Sequence, residues 1–122
     1  MTPTPEPDPQ DFFFTPADFG PEIELGPGVR IRILARGSLM FSLVEIDDGV
    51  TTPTHGHPEE QMGMVLEGAF DRVQGSERRL LEKGDGFYVP PNMEHGGTAA
   101  GGPCRLLDVF TPPRPRYLQA DG

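Results

Sequence analysis

The stretch GVTTPTHGHPEEQMGMVLEG, residues 49–68, contains two histidines separated by one residue and followed by acidic and amide side chains. In an extended chain, successive side chains alternate between faces, so His55 and His57 lie on one face and can bind one metal ion together. Pro58 disfavours helical geometry at His57. The stretch therefore predicts a metal site on or beside a β-strand.

The third ligand in this stretch is left open by three consecutive polar residues, Glu59, Glu60 and Gln61. On a continuing strand, the period of two favours Glu59 or Gln61 over Glu60. A turn after Pro58 would change that parity. Each histidine alone could equally be an exposed or hydrogen-bonded loop residue, so the prediction depends on its partners.

The order and spacing of these residues resemble the first motif of the cupin superfamily. That motif reads Gly, five residues, His-x-His, three or four residues, an acid or amide, six residues, Gly. Its positions are occupied here by Gly49, His55, His57, Gln61 and Gly68. The resemblance implies Gln61 as the third ligand.

A second cupin-like motif follows at residues 84–95, GDGFYVPPNMEH, with Gly84, Pro90 and His95 at the expected spacings. Asn92 stands where that motif often has Gly, and the Asn that commonly follows the histidine is missing. Imidazole and oxygen ligands leave the metal open among iron, manganese, nickel and zinc. The resemblance implies a divalent transition metal held by His55, His57, Gln61 and His95.

The rest of the chain has the pattern of short strands separated by turns. Residues 29–34, VRIRIL, and residues 39–46, LMFSLVEI, are predicted strands, and residues 104–110, CRLLDVF, are predicted to form the last one. No segment of ordinary helix length has a consistent 3.6-residue pattern. These features predict an all-β sandwich or barrel. The cupin resemblance narrows this to a double-stranded β-helix, the jelly-roll barrel.

Between these strands, a hairpin is predicted to turn at residues 74–76, and the glycines and alanines of residues 96–102 are expected to form a flexible loop. Met62 and Met64 lie on the strand face opposite Gln61, where they serve as core or interface residues. The charged side chains of the hairpin are expected to be mostly solvated: Asp71, Arg72, Glu77, Arg78 and Arg79.

The 122 residues suffice for one domain. We expect a proline-rich, extended segment at residues 1–20, one cupin domain at residues 21–117 and a tail at residues 118–122. Residues 1–11 should be mobile. Exposed aromatic rings are costly, so residues 12–14, FFF, are expected to dock on the barrel or on a partner subunit, the alternative being a sticky disordered tail.

Composition excludes several classes of protein. A net charge of −9 and a pI near 4.6 argue against sequence-independent nucleic-acid binding, which needs a basic surface. No apolar run approaches the roughly 20 residues of a membrane span, and the acidic N-terminus does not resemble a signal peptide. The single cysteine, Cys104, rules out an internal disulfide and agrees with a cytoplasmic location.

The last predicted strand leads into a further pattern, Asp108-Val-Phe110-Thr-Pro-Pro-Arg114. It resembles the ending Asp-x-Phe-(x)3-Arg of small cupins in pectin and alginate breakdown, which convert unsaturated uronates to linear keto sugar acids. The resemblance implies that Asp108 moves a proton, Phe110 packs against the sugar and Arg114 clamps a carboxylate. The alternative is structural, with a turn cap, a core ring and a surface charge. The proline-rich end should lie over the outside of the barrel.

Three functions therefore compete. The first is a metal-dependent enzyme acting on a small anionic sugar acid, the second an iron-dependent dioxygenase, and the third a non-catalytic ligand-binding cupin. Turnover without oxygen separates the first from the second, and tight binding without turnover indicates the third. Because small cupins commonly pair through sheet edges, the resemblance also implies a homodimer.

Overall fold

The computed structural model describes residues 12–119, so the expectation of a mobile segment at residues 1–11 lies outside the described part. A 3₁₀ turn at Pro16–Asp18 precedes the first strand. The strands and the helix are β1 (Ile23–Gly26), β2 (Val29–Arg36), β3 (Leu39–Ile46), β4 (Thr51–His55), β5 (Glu60–Glu67), β6 (Ala69–Gln74), β7 (Glu77–Glu82), β8 (Gly86–Val89), β9 (His95–Ala99), β10 (Cys104–Thr111) and α1 (Pro115–Gln119).

The ten strands form two sheets. The order in the larger sheet is β1-β2-β3-β10-β5-β8, and the order in the smaller sheet is β4-β9-β6-β7. Neighbouring strands are antiparallel throughout. One cluster of buried apolar side chains from both sheets forms the core. This is the all-β architecture that the strand pattern predicts.

The predicted strands at residues 29–34, 39–46 and 104–110 are confirmed as β2, β3 and β10. Along β3 and β10 the side chains alternate strictly between buried and less buried positions, as the period of two requires. Asp108 and Phe110 belong to the buried set of β10. That places both of them on the inner face of the larger sheet.

Gly68, the last residue of the first motif, connects the two sheets between β5 and β6. Its φ is +78°, and a Cβ there would lie 2.4 Å from the carbonyl oxygen of Pro103. Any other residue would meet both backbone strain and a clash. The motif glycine is therefore explained by the crossing from one sheet to the other.

The expectation of a flexible loop at residues 96–102 is wrong for its first part. Residues 95–99 form β9, an inner strand of the smaller sheet. A Cβ on Gly97 would lie 2.6 Å from the backbone oxygen of Asp71 and 2.6 Å from the ring of Phe70. Close packing, rather than mobility, accounts for this glycine.

β6 and β7 form the predicted hairpin, with a two-residue turn at residues 75–76. Arg78 and Arg79 are exposed, as expected. The expectation that Arg72 is solvated is wrong, because only 7% of it is exposed. Arg72 follows the buried Phe70 by two residues, so it shares the inward face of β6.

The outer face of the larger sheet has an apolar area, and the N-terminal segment covers part of it. The ring of Phe14 packs edge to face on that of Phe41, with 5.8 Å between centroids. The guanidinium of Arg32 donates hydrogen bonds to the backbone oxygens of residues 16, 19 and 20. Phe12 and Phe13 are 58% and 84% exposed, so Phe14 docks on the barrel as expected, whereas docking of its two neighbours on a partner subunit stays a prediction.

The end of the chain differs from the expected outer cover. After β10 it folds back as α1, a five-residue helix across the expected boundary between residues 117 and 118. Tyr117 is buried, and its ring centroid lies 5.7 Å from that of Phe110. Arg114 is also buried. Within residues 12–119, no helix is long and apolar enough to cross a bilayer.

Candidate metal centre

Two strands of the smaller sheet position the first and last histidines of the motifs. His55 ends β4, His95 begins β9, and the two residues are paired in register. His57 follows β4 in the bend that leads to β5. Its backbone oxygen accepts a 2.7 Å hydrogen bond from the backbone N–H of Asn92. The second motif thus holds the first motif in place.

Asn92 adopts a left-handed conformation, with φ of +68°, where the motif often has Gly. An Asn tolerates this conformation better than an Ala. We expect Asn92→Ala to lower the free energy of unfolding by about 1 kcal/mol relative to Asn92→Gly. Denaturant unfolding of the two variants measures the difference, and equal stability would contradict it.

The three histidine rings converge on one point. One nitrogen from each lies within 4.8 Å of the others, and the ring centroids are separated by 4.5, 4.9 and 5.7 Å. His57 and His95 are buried, whereas His55 is exposed. The cluster therefore lies at the mouth of a cavity, with one side open to solvent.

The backbone orients all three imidazoles in the same way. Each Nδ1 lies 2.9–3.0 Å from a carbonyl oxygen two residues away in the chain, at Pro53 for His55, Glu59 for His57 and Met93 for His95. A carbonyl oxygen only accepts hydrogen bonds, so each Nδ1 must carry the proton when the ring is neutral. The Nε2 lone pairs are then free for a metal.

Of the three consecutive polar residues Glu59, Glu60 and Gln61, it is Gln61 whose side chain faces the histidines. Its Oε1 lies 3.0 Å from Nε2 of His57. Because the proton of His57 is on Nδ1, its Nε2 and the Oε1 of Gln61 are both hydrogen-bond acceptors. Two acceptors 3.0 Å apart repel each other unless both bind one cation, or unless the amide of Gln61 is rotated so that its NH₂ faces Nε2. Adjacent ligands bound at about 2.1 Å lie about 3 Å apart. The donor set thus fits a divalent metal.

The two neighbouring carboxylates are engaged elsewhere. Glu60 is exposed and accepts a hydrogen bond from the hydroxyl of Tyr88. Glu59 is buried, and its Oε1 lies 3.3 Å from Nε of Arg114. The bend at residues 58–59 is the turn that the sequence left open, yet it leaves Gln61 on the inner face of β5.

Burial keeps the buried imidazoles neutral. It lowers the pKa of His95 to about 4. Burial, and then the positive charge of Arg114, lower the pKa of His57 as well. A metal binds the neutral imidazole, so both rings are in the ligand form at pH 7.

Asp108 lies on the inner face of β10, and its Oδ1 has no hydrogen-bond partner. Burial raises the pKa of this carboxyl group to about 6, against the opposing effects of the positive charge of Arg72 and a hydrogen bond with Gln61. A Cβ on Gly63 would lie only 2.5 Å from Oδ1. The absence of a side chain there makes room for the carboxylate.

Phe110 and Arg114 complete this wall of the cavity. The ring of Phe110 is 2% exposed and packs on His57 at 5.6 Å between centroids. Arg114 is not a surface charge, since it is 6% exposed and donates a 2.9 Å hydrogen bond to the hydroxyl of Tyr117. The structure thus brings every predicted site residue except His57 to the lining of one cavity, and His57 joins the site through the histidine cluster and its packing on Phe110.

Arg72 belongs to the same cavity, although its place in a charged hairpin predicted a solvated side chain. It extends from the smaller sheet, opposite Asp108 on the larger one. The signal that could have found it is parity, since it lies two residues after Phe70 on a half-buried strand. Tyr117 was likewise missed, because a five-residue helix leaves no periodic pattern.

The cavity has a volume of about 360 Å³, which suits a small molecule. Aliphatic side chains of β2 and β3 form part of its lining. The polar and charged side chains in the lining include His55, Gln61, Arg72, His95, Asp108, Arg114 and Tyr117.

The family model for the cupin domain matches residues 42–110, so this chain belongs to the cupin family. The predicted double-stranded β-helix is therefore confirmed. The chain is 31% identical over 103 residues to the pectin degradation protein KdgF of Dickeya dadantii (strain 3937), an alignment that covers 83% of this chain and 94% of that protein.

Solved structures agree with this assignment. KdgF from Halomonas sp. superposes with a TM-score of 0.78 at 31% identity, covering 86% of this chain and 96% of that one. An RmlC-like cupin from Shewanella frigidimarina NCIMB 400 gives a TM-score of 0.79 at 27% identity, with coverage of 87% and 95%. The resemblance to small cupins of pectin breakdown is thereby confirmed.

Proposed function

We propose that this protein is a metal-dependent enzyme that converts an unsaturated uronate to a linear keto sugar acid. The observation that carries the proposal is the buried Asp108, whose free oxygen faces a cavity beside the histidine cluster. A buried carboxylate with one oxygen left without a hydrogen-bond partner is costly for the fold, which indicates a functional role. Similarity to the pectin degradation protein KdgF supports the choice of substrate.

Four side chains would hold the metal, His55, His57, Gln61 and His95. All four are neutral donors, so a bound divalent ion keeps its full charge and supplies Lewis acidity to a substrate oxygen. The buried faces of the rings and the wall formed by Phe110 exclude water from one side of the cluster.

Asp108 is proposed to move the proton that the reaction needs. Opening the ring of an unsaturated uronate leaves an enol, and the enol becomes a ketone when the far carbon of the double bond takes up a proton. The net change is an isomerisation that consumes no oxidant. A single carboxyl group, free at Oδ1 and fixed on a strand, is suited to this transfer.

Phe110 and Arg114 are proposed to position the substrate. The ring of Phe110 can pack against the apolar face of a sugar. Arg114 is the residue that the sequence resemblance assigns to the carboxylate, and it lies on the cavity wall within 3.3 Å of Glu59. The hydrogen bond to the hydroxyl of Tyr117, together with this ion pair, limits the orientation of its guanidinium.

The test follows the ultraviolet absorbance of the ring double bond in unsaturated galacturonate and guluronate, using metal-loaded protein without oxygen. We expect the absorbance to disappear at a rate proportional to the enzyme concentration. Turnover only with oxygen would instead support the dioxygenase. Binding without turnover would support the ligand-binding cupin.

We also propose that two copies of the chain pair through the outer face of the larger sheet. Val109 and Met62 lie side by side there on two strands, next to Phe41, on which Phe14 packs. Met62 and Met64 are 60% and 47% exposed, so they are not core residues. Charged side chains of Arg30, Glu45, Arg105 and Glu67 border this apolar area. An apolar centre with a charged border fits a self-complementary, two-fold interface.

Met62→Glu is expected to convert the dimer to a monomer, because it would bury two carboxylates near the two-fold axis. Sedimentation of the wild type and the variant measures the change. Leu80→Glu is the matched control, since Leu80 is 51% exposed on the other sheet. A monomeric wild type, or a Met62→Glu dimer, would contradict the proposal.

A further inference from the structure

Arg72 is a buried cation without a direct ion-pair partner, and the carboxylate of Asp108 acts on its charge only from across the cavity. Its side chain is 7% exposed. Its Nε and Nη2 each donate a long hydrogen bond of 3.4 Å to the same acceptor, Oε1 of Gln74. Among residues 12–119, no carboxylate lies within 4.0 Å of it. An amide oxygen shared by two N–H groups leaves most of a guanidinium's five donors available.

The position of Arg72 is nevertheless well defined. The guanidinium carbon lies 3.8 Å from the ring centroid of Phe87, which belongs to the opposite sheet. A Cβ on Gly63 would lie 2.1 Å from that ring, so the backbone opposite is shaped to admit it. Arg72 therefore spans the cavity and is stacked in place, with its donors lining the space.

Arg114 presents the contrast. It is equally buried, but it has a carboxylate partner in Glu59 and a hydroxyl partner in Tyr117. A guanidinium already in an ion pair with a carboxylate attracts a second anion less strongly than one without a direct ion-pair partner. Of the two buried arginines, Arg72 is the better anion receptor.

We propose that Arg72 binds the carboxylate of the substrate through a bidentate pair of hydrogen bonds, across the cavity from Asp108. The inference rests on the proposed function in taking the ligand to be a sugar acid. This assignment replaces the one that the sequence resemblance gives to Arg114, which then acts only indirectly on the substrate, by supporting the cavity wall through Glu59 and Tyr117. The stacked, planar guanidinium suits a planar carboxylate better than a lysine would.

The test compares the binding of D-galacturonate with that of neutral D-galactose, by calorimetric titration of metal-loaded protein. Wild type should bind the acid at least about tenfold more tightly. Arg72→Met should weaken galacturonate binding by about 10- to 100-fold, as expected for hydrogen bonds to a charged group, and leave galactose binding nearly unchanged. Arg72→Lys, which keeps the charge without the fork, should be intermediate.

Two controls separate a binding role from a structural one. Arg78→Met removes the same charge from the outer face of the same hairpin, and it should leave both affinities unchanged. The melting temperature of Arg72→Met should be unchanged or higher, because a buried cation without a direct ion-pair partner is removed. A structural arginine would give a lower melting temperature and equal weakening of both sugars.

The inference is overturned if wild type shows no preference for the acid, or if Arg72→Met keeps that preference. If Arg72→Met does not fold, the decision falls to Arg72→Lys, whose affinity for galacturonate must drop. The uronate turnover assay reports on the proposed function separately. Acid-selective binding without turnover would remove the proposed reaction and leave the assignment of Arg72 intact.

Discussion

Asp108→Asn is expected to lower the turnover of an unsaturated uronate by about 10²- to 10⁴-fold, the usual contribution of a positioned acid or base. Asn keeps the shape of the side chain but cannot exchange a proton. Gln61, which the carboxylate contacts, remains in place, so metal content should not change. The measurement is kcat with metal-loaded protein, together with metal analysis of the same sample.

The melting temperature serves as a control for Asp108→Asn. Because Oδ1 of Asp108 is buried without a partner, removing the charge should leave the protein as stable as the parent or more stable. Asp47→Asn, on the exposed side chain that pairs with Arg30, is the matched control and should retain full turnover. A rate for Asp108→Asn equal to that of the parent would remove the proposed acid–base role.

Loss of one imidazole is expected to have the second large effect. Replacing His55, His57 or His95 by Ala should weaken metal binding by more than about 100-fold, since loss of an outer-shell partner alone typically costs 10- to 100-fold. Each ring supplies one of the nitrogens that converge within 4.8 Å. Metal content after dialysis against a weak chelator measures the loss.

The amide and its neighbour provide internal controls for the histidine variants. Gln61→Ala should weaken metal binding less, because an amide is a weaker donor and water can take its place. Glu60→Ala should have no effect, since this side chain is exposed and bonded to Tyr88. Metal retention in all three histidine variants, or metal loss in Glu60→Ala alone, would show that the ligand set is wrong.

The sequence predicted the strands and the gathering of the site, because both depend on local patterns. The period of two located β2, β3 and β10, and the spacing of the two motifs brought together His55, His57 and His95. Even the departure at Asn92 has a local reason, since its backbone is left-handed. These features need no knowledge of distant contacts.

The features that the sequence did not predict depend on contacts between distant segments. Whether Arg72 faces water or a cavity is decided by Phe87 across the barrel. The glycines of β9 have the composition of a loop, and only their packing against β6 explains them as strand residues. The pairing of Glu59 with Arg114 joins residues 55 positions apart. Periodicity within a segment carries no information about such partners.

The orientation of the imidazoles has a consequence for how the protein can evolve. Each Nδ1 is fixed by a main-chain carbonyl two residues away, and almost any substitution of the residue that supplies it preserves that oxygen. The tautomers of the three rings are thus insulated from side-chain mutation. The walls contributed by β6 and β10 can therefore diverge toward new ligands while the histidine centre stays ready to receive its metal.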